Sequence, residues 1–314
     1  AGPLPWPLLD RLADRIHDFH MAAPAARVAR WSHGFAEVID GNARSLAPHR
    51  ALLGGEAIDA LIAAQRRACA AEAARIDSRA RAGLVRHVHG DLHLANIALI
   101  DGEPTAFDCL EFDDALATTD TLYDLAFLLM DLWQRGLRTE ANLVFNRYVD
   151  RSGDEQGCVL LPLFLSVRAT VRAHVAAARA AEGDAAAAAS ARDHLMLAAA
   201  LLAPAPAGLV AIGGLSGSGK SAAAKRVAGM LGIAPGARLL RSDVVRKRLA
   251  GVAPETRLGA DGYTPERNAA TYAAMETLAV EHLRTGRCVV WDAVLGRDEE
   301  RRQAEAAAAK AGVR

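Results

Sequence analysis

LVAIGGLSGSGKS, Leu209 to Ser221, decides how the second half of this chain folds. An apolar run, LVAIG, passes directly into G-L-S-G-S-G-K-S, which meets the pattern G-x-x-x-x-G-K-[ST] at every fixed position, and then into a stretch of helical spacing. The chemistry needs these residue types in this order. Glycines let backbone N–H groups converge on phosphate oxygens, and the N-terminus of the following helix adds a dipole that favours negative charge. The lysine reaches the terminal phosphates and the last hydroxyl reaches a magnesium ion. Gly214, Ser216, Gly217, Ser218, Gly219, Lys220 and Ser221 are therefore the expected nucleotide-binding residues, with Ser221 also a metal ligand, and ATP and Mg2+ are the expected cofactors.

Towards the C-terminus, a helix from Lys220 to Leu231 is followed by a strand from Arg238 to Ser242, a helix, a long helix from Pro265 to Thr285 and a strand from Cys288 to Asp292. Alternating strands and helices imply a parallel, doubly wound sheet. In such a sheet, residues just past a strand's C-terminal end face the ligand crevice. That places Asp243 and Arg246, one helical turn apart in SDVVR, towards the transferred phosphate. A capping role for Asp243 is the alternative. Cys288-Val289-Val290-Trp291-Asp292 has the form of an apolar strand ending in a metal-approaching aspartate, so Asp292 joins the expected metal site.

Upstream, APAPAG (Ala203 to Gly208) supplies two prolines and a glycine that stop a helix and suit a short stiff linker. The expected division is a first domain over 1–203, a linker over 204–208 and a P-loop domain over 209–314. Residues Trp6 to about Arg81 have helical apolar spacing. Helices are expected again over Thr121–Trp133, Ala141–Val149, Leu160–Ala180 and Ala185–Leu202. Between these blocks, LVRHVHG and LANIALI, with TAFD after the turn-forming Asp101-Gly102, read as short strands around a loop.

That loop, His89-Gly90-Asp91-Leu92-His93-Leu94-Ala95-Asn96, has the order H-x-D-L-x-x-x-N of a protein-kinase catalytic loop, with glycine where protein kinases usually have arginine. An aspartate there can accept the proton of an attacking hydroxyl, and an asparagine five residues on can reach a phosphate-neutralising cation. Asp91 is the candidate base, and Asn96 and Asp108 are candidate metal ligands, with Glu111 a plausible outer group.

HGDLHLAN, FDCLEFDD and YDLAFLLMDLWQRG together resemble the aminoglycoside phosphotransferase superfamily, which shares the protein-kinase fold. More narrowly, the chain resembles bacterial fusions of an aminoglycoside-phosphotransferase-like domain with a zeta-toxin-like or polynucleotide-kinase-like ATPase. The resemblance implies an α/β protein overall: a mainly helical protein-kinase-like C-lobe, then a doubly wound parallel-sheet P-loop domain. The S-D-x-x-R stretch resembles that of polynucleotide-kinase-like and gluconate-kinase-like enzymes. By that resemblance Asp243 orients or deprotonates an acceptor hydroxyl and Arg246 binds acceptor or phosphate. About ninety residues precede the first loop, with no glycine-rich nucleotide loop among them, so either the nucleotide lobe lies upstream of Ala1 or this half is a degenerate relative; Arg314 arrives before any phosphate-covering lid, so the second domain is expected to lack its C-terminal part.

Lys plus Arg and Asp plus Glu each number 37, which removes any global attraction to nucleic acid or anionic membrane. A small-molecule hydroxyl is therefore favoured over a nucleic-acid 5′-hydroxyl as acceptor. No uninterrupted apolar run reaches the ~18 residues of a membrane span, and the four isolated cysteines suit a reducing compartment. A cytoplasmic kinase without a membrane partner is the expectation. The alternatives are a nucleotide-sensing regulator with a pseudokinase first domain and, ranked lower, an aminoglycoside-resistance activity of that domain.

Overall fold

The computed structural model describes residues 4–110, 117–215 and 217–313. The chain forms two compact units that do not follow a single cut. One comprises Arg15–Gly136 and Leu160–Ala203; the other comprises Ala1–Asp14, Leu137–Val159 and Pro204–Arg314.

In the first unit, helix α1 (Trp6–Ala22), which begins in the other unit, leads to α2 (Trp31–Leu46), the single turn α3 (Arg50–Leu53) and α4 (Gly55–Arg81). Strands β1 (Val85–His87), β2 (Ile97–Ile100), β3 (Glu103–Ala106) and β4 (Thr118–Asp120) form two small antiparallel pairs, β1 with β4 and β2 with β3. Helix α5 (Thr121–Gln134) follows; α6 (Arg138–Ser152) clusters with the other unit, and α7 (Leu161–Ala181) and α8 (Ala185–Ala200) return to this one.

The turn between β2 and β3 is the expected Asp101-Gly102, with φ of 53° and 79°. Two positive φ values match the right-handed twist of a two-residue hairpin. The core centres on Phe35, Tyr123 and Phe164, from α2, α5 and α7, whose rings meet edge to face at 5.0–5.5 Å. Aromatic pairs of this geometry stabilise beyond their area burial by about 0.5–1.5 kcal/mol each. Asp120 caps α5 by accepting from Leu122 N and holds the buried Arg79 at 2.7 Å. Asp184 starts the alanine-rich α8 in the same manner, accepting from the amides of Ala186 and Ala187.

Among the described residues one helical stretch, Gln156–Ala181, is long and apolar enough by length and composition to cross a membrane, with a mean hydropathy of 1.4. Arg168, Arg172 and Arg179 break the apolar run and hid it. Its window is 67% buried inside the protein, as in the core helix of a soluble bundle.

The second unit holds the parallel sheet: β5 (Leu209–Ile212), α9 (Lys220–Met230), β6 (Arg238–Arg241), α10 (Ser242–Leu249), α11 (Pro265–Arg284), β7 (Val289–Asp292) and α12 (Asp298–Ala311). The strand order is β5-β7-β6, both pairings parallel. Period-two alternation sends Val289 and Trp291 to one face, against Met275, Ala279 and Leu283 of α11 and Ala304 and Ala307 of α12. Val290 faces the other way, against Ala224 and Ala228 of α9. Because both faces are covered, β7 is apolar from Val289 to Trp291 and ends in Asp292. The central position of β7 brings Asp292 level with Ile212 on one side and Arg241 on the other.

Candidate functional site

The P-loop begins where β5 ends. Gly214 has a φ of 155°, which L side chains rarely adopt, and a Cβ there would lie 2.7 Å from Ser218 Oγ, so the position favours glycine. Gly219, at φ 82°, is the N-cap of α9 and turns the chain directly into the helix. Gly217 also lies at positive φ, and Ser216 lies outside the described residues. The loop is anchored by Gly214 N donating to Val294 O at 3.1 Å.

Lys220 and Ser221, the first residues of α9, converge on the end of β7. Ser221 Oγ donates to Asp292 Oδ2 at 2.7 Å, and Lys220 Nζ lies 3.9 Å from Asp292 Oδ1. Asp292 is 3% exposed, and among the described residues its Oδ1 has no hydrogen-bond partner. A buried carboxylate oxygen without a donor is costly. Next to a lysine, a hydroxyl and the N-terminus of an eleven-residue helix, it fits a site that receives a cation with an anionic ligand. These residues therefore fit Mg2+ and a nucleotide phosphate. A cleft of about 640 Å³ runs instead beside β5 and α12, touching Gly213, Gly214 and Leu215 but not Lys220, Ser221 or Asp292.

At the end of β6, Asp243 and Arg246 each have a separate partner. Asp243 is bound to Lys247 at 2.7 Å along the exposed side of α10, while Arg246 donates to Asn268 Oδ1 at 2.8 Å and stacks 4.8 Å over the Tyr263 ring. Asp243 does not cap the helix: Arg241 is the N-cap, and no side chain caps it. Tyr263 and Asn268 escaped the sequence reading. Their only local sign is the helix start at Thr264-Pro265 between them, where Thr264 accepts from Arg267 N.

In the first unit, Asp91 and Asn96 are brought together: Asn96 Nδ2 donates to Asp91 O at 3.1 Å and to Asp91 Oδ2 at 3.2 Å. Asp108 is exposed, at a φ of 61°, and is tied to the loop through its neighbour Phe107. Phe107 N donates to Asn96 O at 3.0 Å, and Phe107 O is 2.9 Å from His89 Nε2. Burial raises the Asp91 carboxyl, but His93 beside it and the charges of Arg168 and Arg172 outweigh this and hold it below its ordinary value. Glu111 lies outside the described residues.

The sequence reading missed what holds this loop. Asp124 Oδ1 accepts from Gly90 N at 2.9 Å, and its Oδ2 is 3.1 Å from His20 Nε2. Arg168 donates to Gly90 O at 3.0 Å and covers the Tyr123 ring at 3.9 Å. Burial raises Asp124, yet His20 and Arg168 together keep it below its usual range. The available signal was a pair of carboxylates, Asp124 and Asp131, in the otherwise apolar YDLAFLLMD, where an unpaired charge would be prohibitive.

Residues 209–314 match the AAA domain family, P-loop kinase-like ATPases that include zeta toxins and polynucleotide kinases. Residues 209–314 are accordingly similar to P-loop domains of the nucleotide-binding, kinase-like kind. Three uncharacterised mycobacterial proteins, Mb2027c of Mycobacterium bovis and MT2060 and Rv2004c of Mycobacterium tuberculosis, are each 39% identical over 171 residues. The match covers 54% of this chain and 34% of each relative's length. No solved structure matches.

Proposed function

We infer that the P-loop domain binds MgATP and transfers the γ-phosphoryl group to a hydroxyl of a small molecule. The observation that carries this reading is the convergence of Lys220 and Ser221 on a buried Asp292 whose second oxygen has no donor among the described residues. Backbone amides of the glycine loop and the start of α9 bind the phosphates, and Lys220 draws the terminal phosphates into line. Ser221 and Asp292 would hold the magnesium ion, which would supply charge neutralisation for the phosphates. Arg246, fixed by Asn268 and Tyr263, supplies a positive group for acceptor or transferred phosphate, and Asp243, once released from Lys247, orients the hydroxyl.

For the helical unit we favour an aminoglycoside-phosphotransferase-like C-lobe, with Asp91 as base and Asn96 and Asp108 as metal ligands. Its support is the Asp91–Asn96 contact and the doubly held Gly90 between His89 and Asp91. A cytoplasmic setting is supported by four free thiols, and a small-molecule acceptor by the balanced charge. ATP consumption by wild type, Lys220→Ala and Asp91→Ala across sugars, aminoglycosides and 5′-hydroxyl oligonucleotides tests the assignment. Acceptor-stimulated consumption lost only with Lys220→Ala supports it; consumption lost only with Asp91→Ala moves the chemistry to the first unit.

A further inference from the structure

Glu155 follows α6, and no motif marks it. Its carboxylate accepts four hydrogen bonds, two on each oxygen. Oε1 takes Arg238 Nη2 at 2.7 Å and Arg248 Nη1 at 2.7 Å, while Oε2 takes Arg238 Nε at 2.8 Å and His282 Nε2 at 2.9 Å. A carboxylate offers about four lone-pair sites, so Glu155 is saturated. Cys158 and His282 do place ligand atoms near it, within 4.8 Å of one another. With every Glu155 site occupied and two guanidiniums on it, this cluster is a hydrogen-bonded lock and not a cation site. His282 donates from Nε2, because an ionised carboxylate can only accept.

The lock is built on the free edge of the sheet. Among the described residues, β6 pairs only with β7, and α6 covers its outer side with amides: Asn142 and Asn146 donate to Ala237 O at 2.9 and 3.1 Å, and Asn146 Oδ1 accepts from Leu239 N at 2.7 Å. Two asparagines one turn apart thus satisfy the strand edge that a further strand would otherwise use. Below them Asp150 takes Arg238 at 2.6 Å and Arg241 at 3.2 Å.

The placement of the two guanidiniums on Glu155 gives the lock a function. Arg238 is the first residue of β6 and Arg248 lies in the last turn of α10; between them run Arg241, Asp243 and Arg246. One fixed carboxylate therefore holds both ends of the strand–helix turn that carries the acceptor-side groups. We propose that Glu155 is a positioning residue for phosphoryl transfer at the P-loop, setting α10, and with it Asp243 and Arg246, through Arg248. The assignment rests on the reading of the P-loop domain as a kinase. Glu155 touches neither nucleotide nor acceptor; it acts through the helix. It belongs to a segment, 137–159, flanked in sequence on both sides by the helical unit.

Arg248 is 30% exposed at its side chain, so its arm can be cut without stripping Arg238 of its partners. The test uses the full chain, MgATP and the panel of sugars, aminoglycosides and 5′-hydroxyl oligonucleotides as acceptors, measuring kcat, KM and ATP affinity with a thermal melt for each variant. Arg248→Ala lowers kcat about 10-fold, since small misplacements of reacting groups cost one to two powers of ten. KM for ATP stays within about two-fold, because Lys220 and Ser221 are untouched, and Arg248→Lys recovers most of kcat. Glu155→Gln reproduces the loss of kcat if it melts as a folded protein. A folded Arg248→Ala protein with wild-type kcat overturns the proposal, as does an equal loss in kcat and ATP affinity that lysine does not rescue. Wild type without Lys220-dependent ATP consumption overturns the kinase reading and this assignment with it, a result recognisable because it appears before any Arg248 variant is made.

Discussion

Asp292→Asn separates folding from ligand binding at the P-loop. Asparagine keeps the acceptor for Ser221 Oγ and nearly the same volume, and removes only the charge. In the absence of ligand, the lost attraction to Lys220 at 3.9 Å comes to about 4 kcal/mol at an effective dielectric of about 20. Against it stands the desolvation of a carboxylate that is 3% exposed and has one oxygen without a hydrogen-bond partner among the described residues, itself several kcal/mol. The two nearly cancel, so the ligand-free protein should keep its stability to within about 1 kcal/mol. With ligand the balance changes. A charge-assisted contact is worth about 1.5–3 kcal/mol, which weakens MgATP binding about 10- to 150-fold. At a ligand concentration of 100 times the wild-type Kd, wild type gains about 2.7 kcal/mol, and a variant weakened about 100-fold gains about 0.4 kcal/mol. For a unit of this size these correspond to shifts of about 5–11 °C and about 1–2 °C. Thermal melts with and without MgATP read both quantities. An undiminished ligand shift in Asp292→Asn would show that the bare oxygen does not face the nucleotide, and a collapse of the ligand-free Tm would show that Asp292 is a structural residue.

Trp291, wholly buried between α11 and α12, should lose about 3–5 kcal/mol on replacement by alanine, read as a lowered denaturation midpoint. Burial first, then Arg238 and Arg287, lower the pKa of His282 despite Glu155. Its stabilising contribution is therefore complete above the unfolded value of about 6.5 and is lost as pH falls from there towards the folded value. Hydrogen exchange of α11 amides should show falling protection between pH 7.5 and 5.5, with a flatter slope in His282→Gln; an unchanged slope removes His282 as the cause. Asp124→Ala leaves the buried Arg168 without its carboxylate and frees Gly90 N, which should cost about 3–5 kcal/mol and speed amide exchange at Gly90.

What could be read from the chain depended on whether the determinant was local. The glycine loop, the Asp101-Gly102 hairpin and the helix capped by Asp184 each place their whole physical cause within a few residues, and each lies where the sequence puts it. Parallel pairing followed from alternation, but the central position of β7 did not, because it depends on which strands share a face. Asn142, Asn146 and Glu155 were silent for the same reason. Their partners on β6 or just before it lie between 83 and 95 residues away, and within α6 an asparagine at i, i+4 looks like a solvated helix face. Asp243 shows a subtler case: it follows the strand, and Lys247, four residues on, holds it along the helix.

The central claim is that Lys220, Ser221 and Asp292 present ATP for transfer to a hydroxyl. It is met most directly by γ-labelled ATP incubated with the full chain and the acceptor panel, comparing wild type with Lys220→Ala. The account predicts label on one class of hydroxyl acceptor with wild type and none with the variant. Label transfer that survives Lys220→Ala, or wild-type protein that neither binds nor consumes ATP, would contradict it.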